Sequence, residues 1–249
     1  MTNIPLVLFV PFYNESKREG IVGYVNALAA LPELSLVLVN DGSTDKTQDL
    51  LQQISLVRPA EIKALNLERN IGKGEAVRAG FNFAISQGAS EVGFCDADFA
   101  VGHHDLLRIF SKLDESRLAC GVIGSRVAIA GSTIERSVFR HYLGRMFATL
   151  VSAILKQEIY DTQCGAKVFR INSITANVFS KPFHSRWAFD VEILGRINRL
   201  TNFESGQVIE LPLLRWIEQP GSKLTVFSRL TTALELLKIK QSLKSWKSL

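Results

Sequence analysis

The sequence predicts an α/β fold, with a central, mostly parallel sheet and helices on both faces. Three observations predict it. Short apolar runs alternate with longer segments of helical periodicity through the N-terminal half. Each run stops at a turn rich in Asp, Asn, Ser or Gly. Hydrophobic residues make up 47% of the 249-residue chain, which is enough for a full core.

The elements follow in order. Leu6–Val10 reads as a strand stopped by Pro11, and Glu19–Leu31 as a helix with Ile21, Val25 and Leu28 on one face, closed by Pro32. Leu34–Val39 is a second strand. The Ser/Thr/Asp-rich turn after it caps a helix over Lys46–Ser55. A third strand, Ile62–Leu67, precedes a helix over Glu75–Gln87. Val92–Cys95 is a fourth strand, too short for a buried helix. Further on, Asp105–Leu113 reads as helix, Ala119–Gly124 as strand, Glu135–Lys156 as a long helix and Lys167–Arg170 as strand. Phe189–Arg199 follows as helix, Val208–Leu214 as extended chain and Arg229–Lys240 as a last helix. No internal repeat or low-complexity linker interrupts the chain.

Charge and cysteines narrow the function. The excess of 29 basic over 24 acidic residues is mild, favouring anionic surfaces or substrates over nucleic acid. Cys95, Cys120 and Cys164 lack metal-site spacing, which points to reduced thiols in a cytoplasmic setting. The N-terminus lacks the pattern of a signal peptide. No run approaches the ~18 apolar residues of a membrane span; the longest, Met146–Leu155, is interrupted by Thr149 and Ser152.

Four turns follow the first four strands, and each offers a different chemistry. Pro11-Phe12-Tyr13-Asn14-Glu15 joins an aromatic ring to a carboxylate, as a nucleobase would need; it also reads as a plain strand-ending turn. In Asn40-Asp41-Gly42-Ser43-Thr44-Asp45, Asp41 stands where it can accept from a base N–H or ribose hydroxyls, while Ser43 or Asp45 caps the next helix. Asn70-Ile71-Gly72-Lys73-Gly74 offers glycines, a lysine and a helix N-terminus, which suit a diphosphate; Lys73 and Gly74 are the binding candidates. Asp96 and Asp98 end the fourth strand one residue apart and point the same way. Their repulsion calls for a cation, and oxygen ligands suit Mg2+ or Mn2+ shared with substrate phosphates. Alone, such a pair also reads as a solvated, helix-capping turn. In order along one sheet edge, the four make a nucleotide-sugar pocket.

These four motifs together resemble the family-2 inverting glycosyltransferases of GT-A fold. The similarity continues through Gly124-Ser125-Arg126, Asp161-Thr162-Gln163-Cys164-Gly165-Ala166-Lys167, Arg186-Trp187-Ala188-Phe189-Asp190-Val191-Glu192 and Gly221-Ser222-Lys223. Those blocks look like the dolichyl-phosphate β-glucosyltransferase and polyprenyl-phosphate mannosyltransferase branch, and Arg186–Asp190 favours the glucosyl side. The resemblance implies one GT-A domain over 1–240, with a nucleotide-sugar half (1–125), an acceptor half (126–240) and a basic tail (241–249). Phe99-Ala100-Val101-Gly102 departs from the small or polar residues usual after the metal motif, which leaves a third metal ligand open.

By the family pattern, Asp98 ligates the metal directly, and Asp96 supports it while touching ribose or sugar. Pro11, Tyr13, Glu15, Asp41, Lys73, Gly74 and Asp96 would line the donor site, with Lys73 and the metal neutralising the leaving diphosphate. The acceptor would be a polyprenyl or dolichyl phosphate, already anionic at neutral pH and needing no strong base. Holding two anions together requires fixed cations, and arginine suits phosphate. Arg126, Arg136 and Arg140 are the candidates, followed by Lys167 and Arg145, with Gln163, Cys164 and Gly165 shaping the acceptor loop. Each arginine also reads as part of a solvated helix face. Catalytic weight falls on Asp96, Asp98, Arg126 and Asp190, the last bonding sugar hydroxyls, orienting the acceptor or capping its helix. His103 and His104 read as a helix start.

The expected activity is inverting transfer of a hexose, glucose from UDP-glucose first, to the lipid phosphate. GDP-mannose as donor, or a glycan or other lipid as acceptor, are the alternatives; a nucleotide-sugar pyrophosphorylase and a non-catalytic adaptor fit the second-half motifs less well. The eukaryotic glucosyl enzymes carry an N-terminal anchor, whereas this chain begins at its first strand. Peripheral attachment to the cytoplasmic face of a membrane is therefore expected from elsewhere: from a Phe139–Leu155 stripe of Phe139, Leu143, Met146, Leu150 and Ile154, and from the tail's Lys238, Lys240, Lys244, Trp246 and Lys247. The stripe reads equally as a helix packed on the sheet.

Overall fold

The computed structural model describes residues 6–31, 34–202, 204, 206–219 and 226–246, and leaves aside the side chains of 138–141, 226–234 and 245. Pro32, Gly221-Ser222-Lys223, Lys247 and the side chains of Phe139 and Arg140 therefore lie outside the described residues.

The N-terminal half alternates strand and helix: β1 (Leu6–Phe12), α1 (Ile21–Ala29), β2 (Leu34–Asn40), α2 (Thr47–Val57), β3 (Ile62–Asn66), α3 (Lys73–Ser86), β4 (Glu91–Cys95), α4 (His103–Glu115) and β5 (Gly121–Ser125). The second half adds β6 (Thr133–Glu135), α5 (Val138–Leu155), β7 (Ala166–Arg170), α6 (Ser173–Ser180), α7 (Phe189–Leu200), β8 (Val208–Pro212), β9 (Arg215–Ile217) and α8 (Val226–Ser245). A seven-stranded sheet has the order β3-β2-β1-β4-β7-β5-β8. All its pairings are parallel except those of β7, which runs antiparallel between β4 and β5.

The strand order reverses between β1 and β4. The chain winds from β1 outward to β3, then returns to the other side of β1. Open α/β sheets bind ligands at such a switch, outside the carboxyl ends of the strands. The central strands are nearly continuous apolar runs because both faces are covered. Leu8, Val10, Leu36 and Leu38 face α1, α2 and α4, while Val7, Phe9, Val37 and Val39 face α3, α6 and α7. A third cluster joins α5, α7 and α8 through Val151, Leu155, Val191, Leu194, Leu236 and Ile239.

Several boundaries move. β1 continues through Pro11, which pairs in register with Val39. The Phe12 carbonyl accepts from the Asp41 amide on the β2 side, so strand alternation turns the Pro11 nitrogen towards β4. Pairing with β4 already ends at Phe9, and the missing donor breaks no ladder. Glu135 belongs to β6, paired with β9, instead of opening the long helix. The helix α6 was not read from the sequence; Asn172 starts it, its side chain accepting from the Thr175 amide while Thr175 Oγ1 accepts from the Asn172 amide. α8 continues to Ser245, beyond the expected end at Lys240.

α5 divides the expected stripe. Ala148, Val151 and Leu155 are buried, whereas Tyr142, Met146 and Leu150 project to solvent at 66%, 71% and 48% exposure. No helix among the described residues is long and apolar enough to cross a membrane.

Candidate active site

The first two turns are stitched side by side at the carboxyl edge of the sheet. The Asn14 amide donates to Ser43 Oγ at 3.0 Å, the Thr44 amide to Asn14 Oδ1 at 2.8 Å and the Glu15 amide to Thr47 Oγ1 at 2.8 Å. Ser16 Oγ donates to Asp45 at 2.6 Å. Desolvation pushes the Asp45 carboxyl up, but bonds from Ser16 and Thr47 win and bring it to about 2. Pro11 is buried at the base of this seam; Tyr13 and Glu15 are half-buried along it, and Glu15 pairs with Arg18 at 2.7 Å.

Asp41 ties the second turn to the third. Its carboxylate accepts from the Ile71 and Gly72 amides at 3.0 and 3.1 Å, and from Asn70 Nδ2 at 2.9 Å. Two of the amides expected to face a diphosphate thus turn inward, because a buried carboxylate must be satisfied. Burial still raises the Asp41 pKa. Gly72 sits at φ +102°, and a Cβ there would strike the Arg186 side chain, whose guanidinium bonds Asn70 Oδ1. The Arg186–Asp190 block therefore closes over the third turn, and Phe189 and Ser185 press on Gly74.

Lysines organise the acids at the end of β4. Lys73 opens α3 and pairs with Asp96 at 2.6 Å, each side chain a little over a quarter exposed. Desolvation opposes its charge, but Asp96, Asp190 and Asp98 together hold the Lys73 pKa above the usual value. Asp96 lies against Gly165, whose carbonyl accepts the Asp96 amide at 2.9 Å; a Cβ on Gly165 would fall inside the carboxylate. Asp98 accepts from the Ala100 amide at 3.0 Å, and burial, then Asp96, push its pKa up. The next residue, Phe99, holds φ +60° and stacks on Tyr24 with centroids 4.2 Å apart.

Lys167 sits elsewhere than the sequence suggests. Expected at the acceptor phosphate, it is fully buried, 2.6 Å from Asp190 and donating to the Cys164 carbonyl at 2.5 Å. Asp190 is itself buried, and desolvation raises its pKa against Lys167 and Lys73. Cys164 is buried too, its thiol pushed up to about 12, first by desolvation and then by Asp161. That leaves no reactive thiolate.

A second cluster of opposite sign lies at the end of β5. Arg126 grips Asp161 with Nε and Nη2 at 2.6 and 2.7 Å, and its amide adds a third bond at 3.0 Å. Desolvation works against both charges, yet the pair prevails: Arg126 is raised and Asp161 falls to about 2. The guanidinium lies over Trp216, 5.4 Å from the ring centroid. Arg136 lies close enough that burial, then Arg126, lower its pKa. Arg145 stacks on Tyr160 at 3.9 Å. Nearby, Ser125 Oγ, Thr162 Oγ1 and Gln163 Nε2 are buried without a hydrogen-bond partner. Guanidinium groups near unsatisfied buried polar atoms are chemistry that suits an anion.

The family model for Glycosyl transferase family 2 matches residues 7–176. The chain belongs to this family. Dolichyl-phosphate beta-glucosyltransferases of Drosophila melanogaster and Homo sapiens are 34% and 31% identical, over 90% and 89% of this chain and 71% and 70% of theirs. The glucosyl-3-phosphoglycerate synthase of Mycobacterium tuberculosis, solved with Mn2+, UDP and glucosyl-3-phosphoglycerate, superposes with a TM-score of 0.65 at 17% identity, covering 95% of this chain and 80% of that one. The fold is GT-A.

Within this family-2 chain, Asp96 and Asp98 can be tested for metal fit from their surroundings. Among the described residues no group of three or more His, Cys, Asp or Glu side chains forms a metal cage, and His103 and His104 are exposed at the start of α4. Two neighbouring carboxylates, with burial opposing the charge on Asp98, fit a hard divalent ion that draws the rest of its shell from phosphate and water. Asp161 and Trp216 escaped individual assignment. Asp161 belongs to the Asp161–Lys167 motif, but nothing in the sequence pairs it with Arg126. Trp216 falls just past the Val208–Leu214 segment, in a stretch to which the sequence gives no reading.

Proposed function

We propose that this enzyme transfers glucose from UDP-glucose to a polyprenyl or dolichyl phosphate, with inversion at the anomeric carbon. The observation that carries the reading is the separation of charge along the sheet edge. Acids with Lys73 stand at the end of β4, and Arg126 with Arg136 at the end of β5. The relatives' names supply the sugar and the acceptor class.

An oxygen of the lipid phosphate attacks C1 as the bond from C1 to the diphosphate oxygen breaks, and the electron pair leaves with the diphosphate. The nucleophile is already ionised, so the enzyme's task is to bring two anions together. Arg126, fixed by Asp161 and Trp216, and Arg136 hold the acceptor phosphate, with Gln163 at its flank. Tyr13, Glu15 and Asp41 border the nucleoside, and Lys73 neutralises the departing diphosphate. Asp190, held by Lys167, accepts from hexose hydroxyls. A Mg2+ or Mn2+ ion on Asp98, supported by Asp96, would add electrostatic stabilisation of the leaving group.

The same chain docks peripherally at the cytoplasmic face of its membrane. Tyr142, Met146 and Leu150 would enter the interface. Trp246 contributes less than the sequence suggests, since its ring packs on Arg196 at 4.0 Å and Lys181 at 5.0 Å.

The test is a donor panel of labelled UDP-glucose, GDP-mannose and UDP-N-acetylglucosamine, given polyprenyl phosphate in vesicles with Mn2+ or Mg2+. Label from UDP-glucose is expected in the lipid fraction. Preference for GDP-mannose would move the chain to the mannosyl alternative. Label reaching only water-soluble acceptors would refute the reading.

A further inference from the structure

The two lysines among the site acids differ in freedom. Lys167 is wholly buried between Asp190 and the Cys164 carbonyl, so it cannot exchange partners without leaving a buried charge bare. Lys73 pairs with Asp96 through the buried Oδ1, but both side chains stay partly open to solvent, at 27% and 29% exposure. Its long side chain projects from the first residue of α3, while Asp96 is pinned against the Gly165 backbone. Lys73 can move away, while the Asp96 backbone stays bonded to Gly165.

Charge counting then assigns Lys73 a second duty. Asp96, Asp98 and Asp190 gather three negative charges, and Lys167 is committed to Asp190. Arg18 acts on Asp98 and Arg126 on Asp96 from further off, but Lys73 makes the direct ion pair with Asp96 and also acts on Asp98. A divalent ion approaching those carboxylates meets an ammonium already in place, and like charges repel. A diphosphate reverses the balance, because it attracts the ammonium and offers the ion further oxygens.

We infer that Lys73 is a stand-in cation: it occupies Asp96 while the donor is absent and yields that carboxylate when a nucleoside diphosphate arrives with its divalent ion. Metal and nucleotide then bind synergistically, each raising the other's affinity by the same factor. The inference rests on the donor site proposed above, and on neither the sugar nor the acceptor.

The experiment is Mn2+ titration of the purified full chain, read by the electron paramagnetic resonance of the free ion, with and without UDP. Wild type is compared with Lys73→Gln, Lys73→Arg and Asp98→Asn, and Lys73→Met stands in if the Gln variant does not fold. In wild type, UDP should tighten Mn2+ at least about fivefold, the low end of ordinary site coupling. Lys73→Gln should bind Mn2+ alone at least about fivefold tighter than wild type, and Lys73→Arg should not. Equal or weaker binding by Lys73→Gln, while Mn2+ still binds with UDP and is lost in Asp98→Asn, would overturn the stand-in role and leave the metal reading intact. Failure of Mn2+ to bind any variant, even with UDP, would overturn both.

Discussion

Replacing Asp161 with Asn tests whether Arg126 is held by a working ion pair. The carboxylate makes three bonds to Arg126 between 2.6 and 3.0 Å and is almost entirely buried. Its pKa falls from 3.8 to about 2 on folding. At roughly 1.36 kcal/mol per unit, that shift corresponds to about 2.5 kcal/mol of stability. Removing one partner of a buried pair also leaves the other uncompensated, a loss of about 3–5 kcal/mol where no bond survives. Asn keeps part of the hydrogen bonding, so the expected loss at neutral pH is about 3 kcal/mol, measured by urea unfolding.

The pH dependence has a definite sign. A depressed carboxyl stabilises the fold above its unfolded pKa and loses that contribution as pH falls through its folded pKa. The gap between wild type and Asp161→Asn should be constant well above 3.8 and close between 3.8 and about 2. The Michaelis constant for lipid phosphate should rise in the variant, because a guanidinium that swivels no longer presents a fixed fork. A neutral-pH gap below about 1 kcal/mol, or one that widens on acidification, would refute the reasoning.

Three further substitutions probe other parts of the site. Gly165→Ala puts a methyl group where the Asp96 carboxylate lies, and should slow transfer about 100-fold in the labelled-sugar assay. Asp98→Asn should abolish measurable transfer while the thermal midpoint stays level or rises. Burial and Asp96 push the Asp98 pKa up, so its ionised form is a liability at neutral pH until a cation arrives. Met146→Glu should weaken co-sedimentation with anionic vesicles about tenfold, as expected for about 1.5 kcal/mol of side-chain burial lost from an exposed apolar face.

The legible part of the fold is the part built by local rules. β1 to β4 and their helices were readable because each strand is a mostly apolar run closed by turn chemistry, only β3 carrying an exposed Lys63, and each helix keeps one apolar face. β7 was readable as a strand, but its place and direction were not. Its insertion between β4 and β5 depends on pairings far apart in sequence, such as Cys95 with Ala166 and Ile123 with Lys167. β6 and β9 are three residues each, too short for any period to show. The signal for α6 was present, since Asn172 stands three residues before Thr175, but the box lacks the usual Glu or Gln at its second position.

In the site, burial and not residue type separates the lysines. Both are cations within loaded motifs, and sequence reasoning sent both to phosphates. Lys167 lies on β7, its neighbour Val168 beneath α4, and its own side chain on the opposite face beside Phe94 and Asp190. A lysine there survives only because Asp190 and a carbonyl meet it, which fixes Asp190 in turn. Lys73 begins a helix at the sheet edge with part of its side chain open to water, as an exchangeable partner needs. A static pair sets the position of a carboxylate; an exchangeable pair sets when another becomes available. On the basic side, Asp161 fixes Arg126 in the same way that Asp190 and Lys167 fix each other. The reaction needs both kinds, because a site made only of locked pairs would have no charge to offer its substrates, and one made only of free charges could not hold them in line.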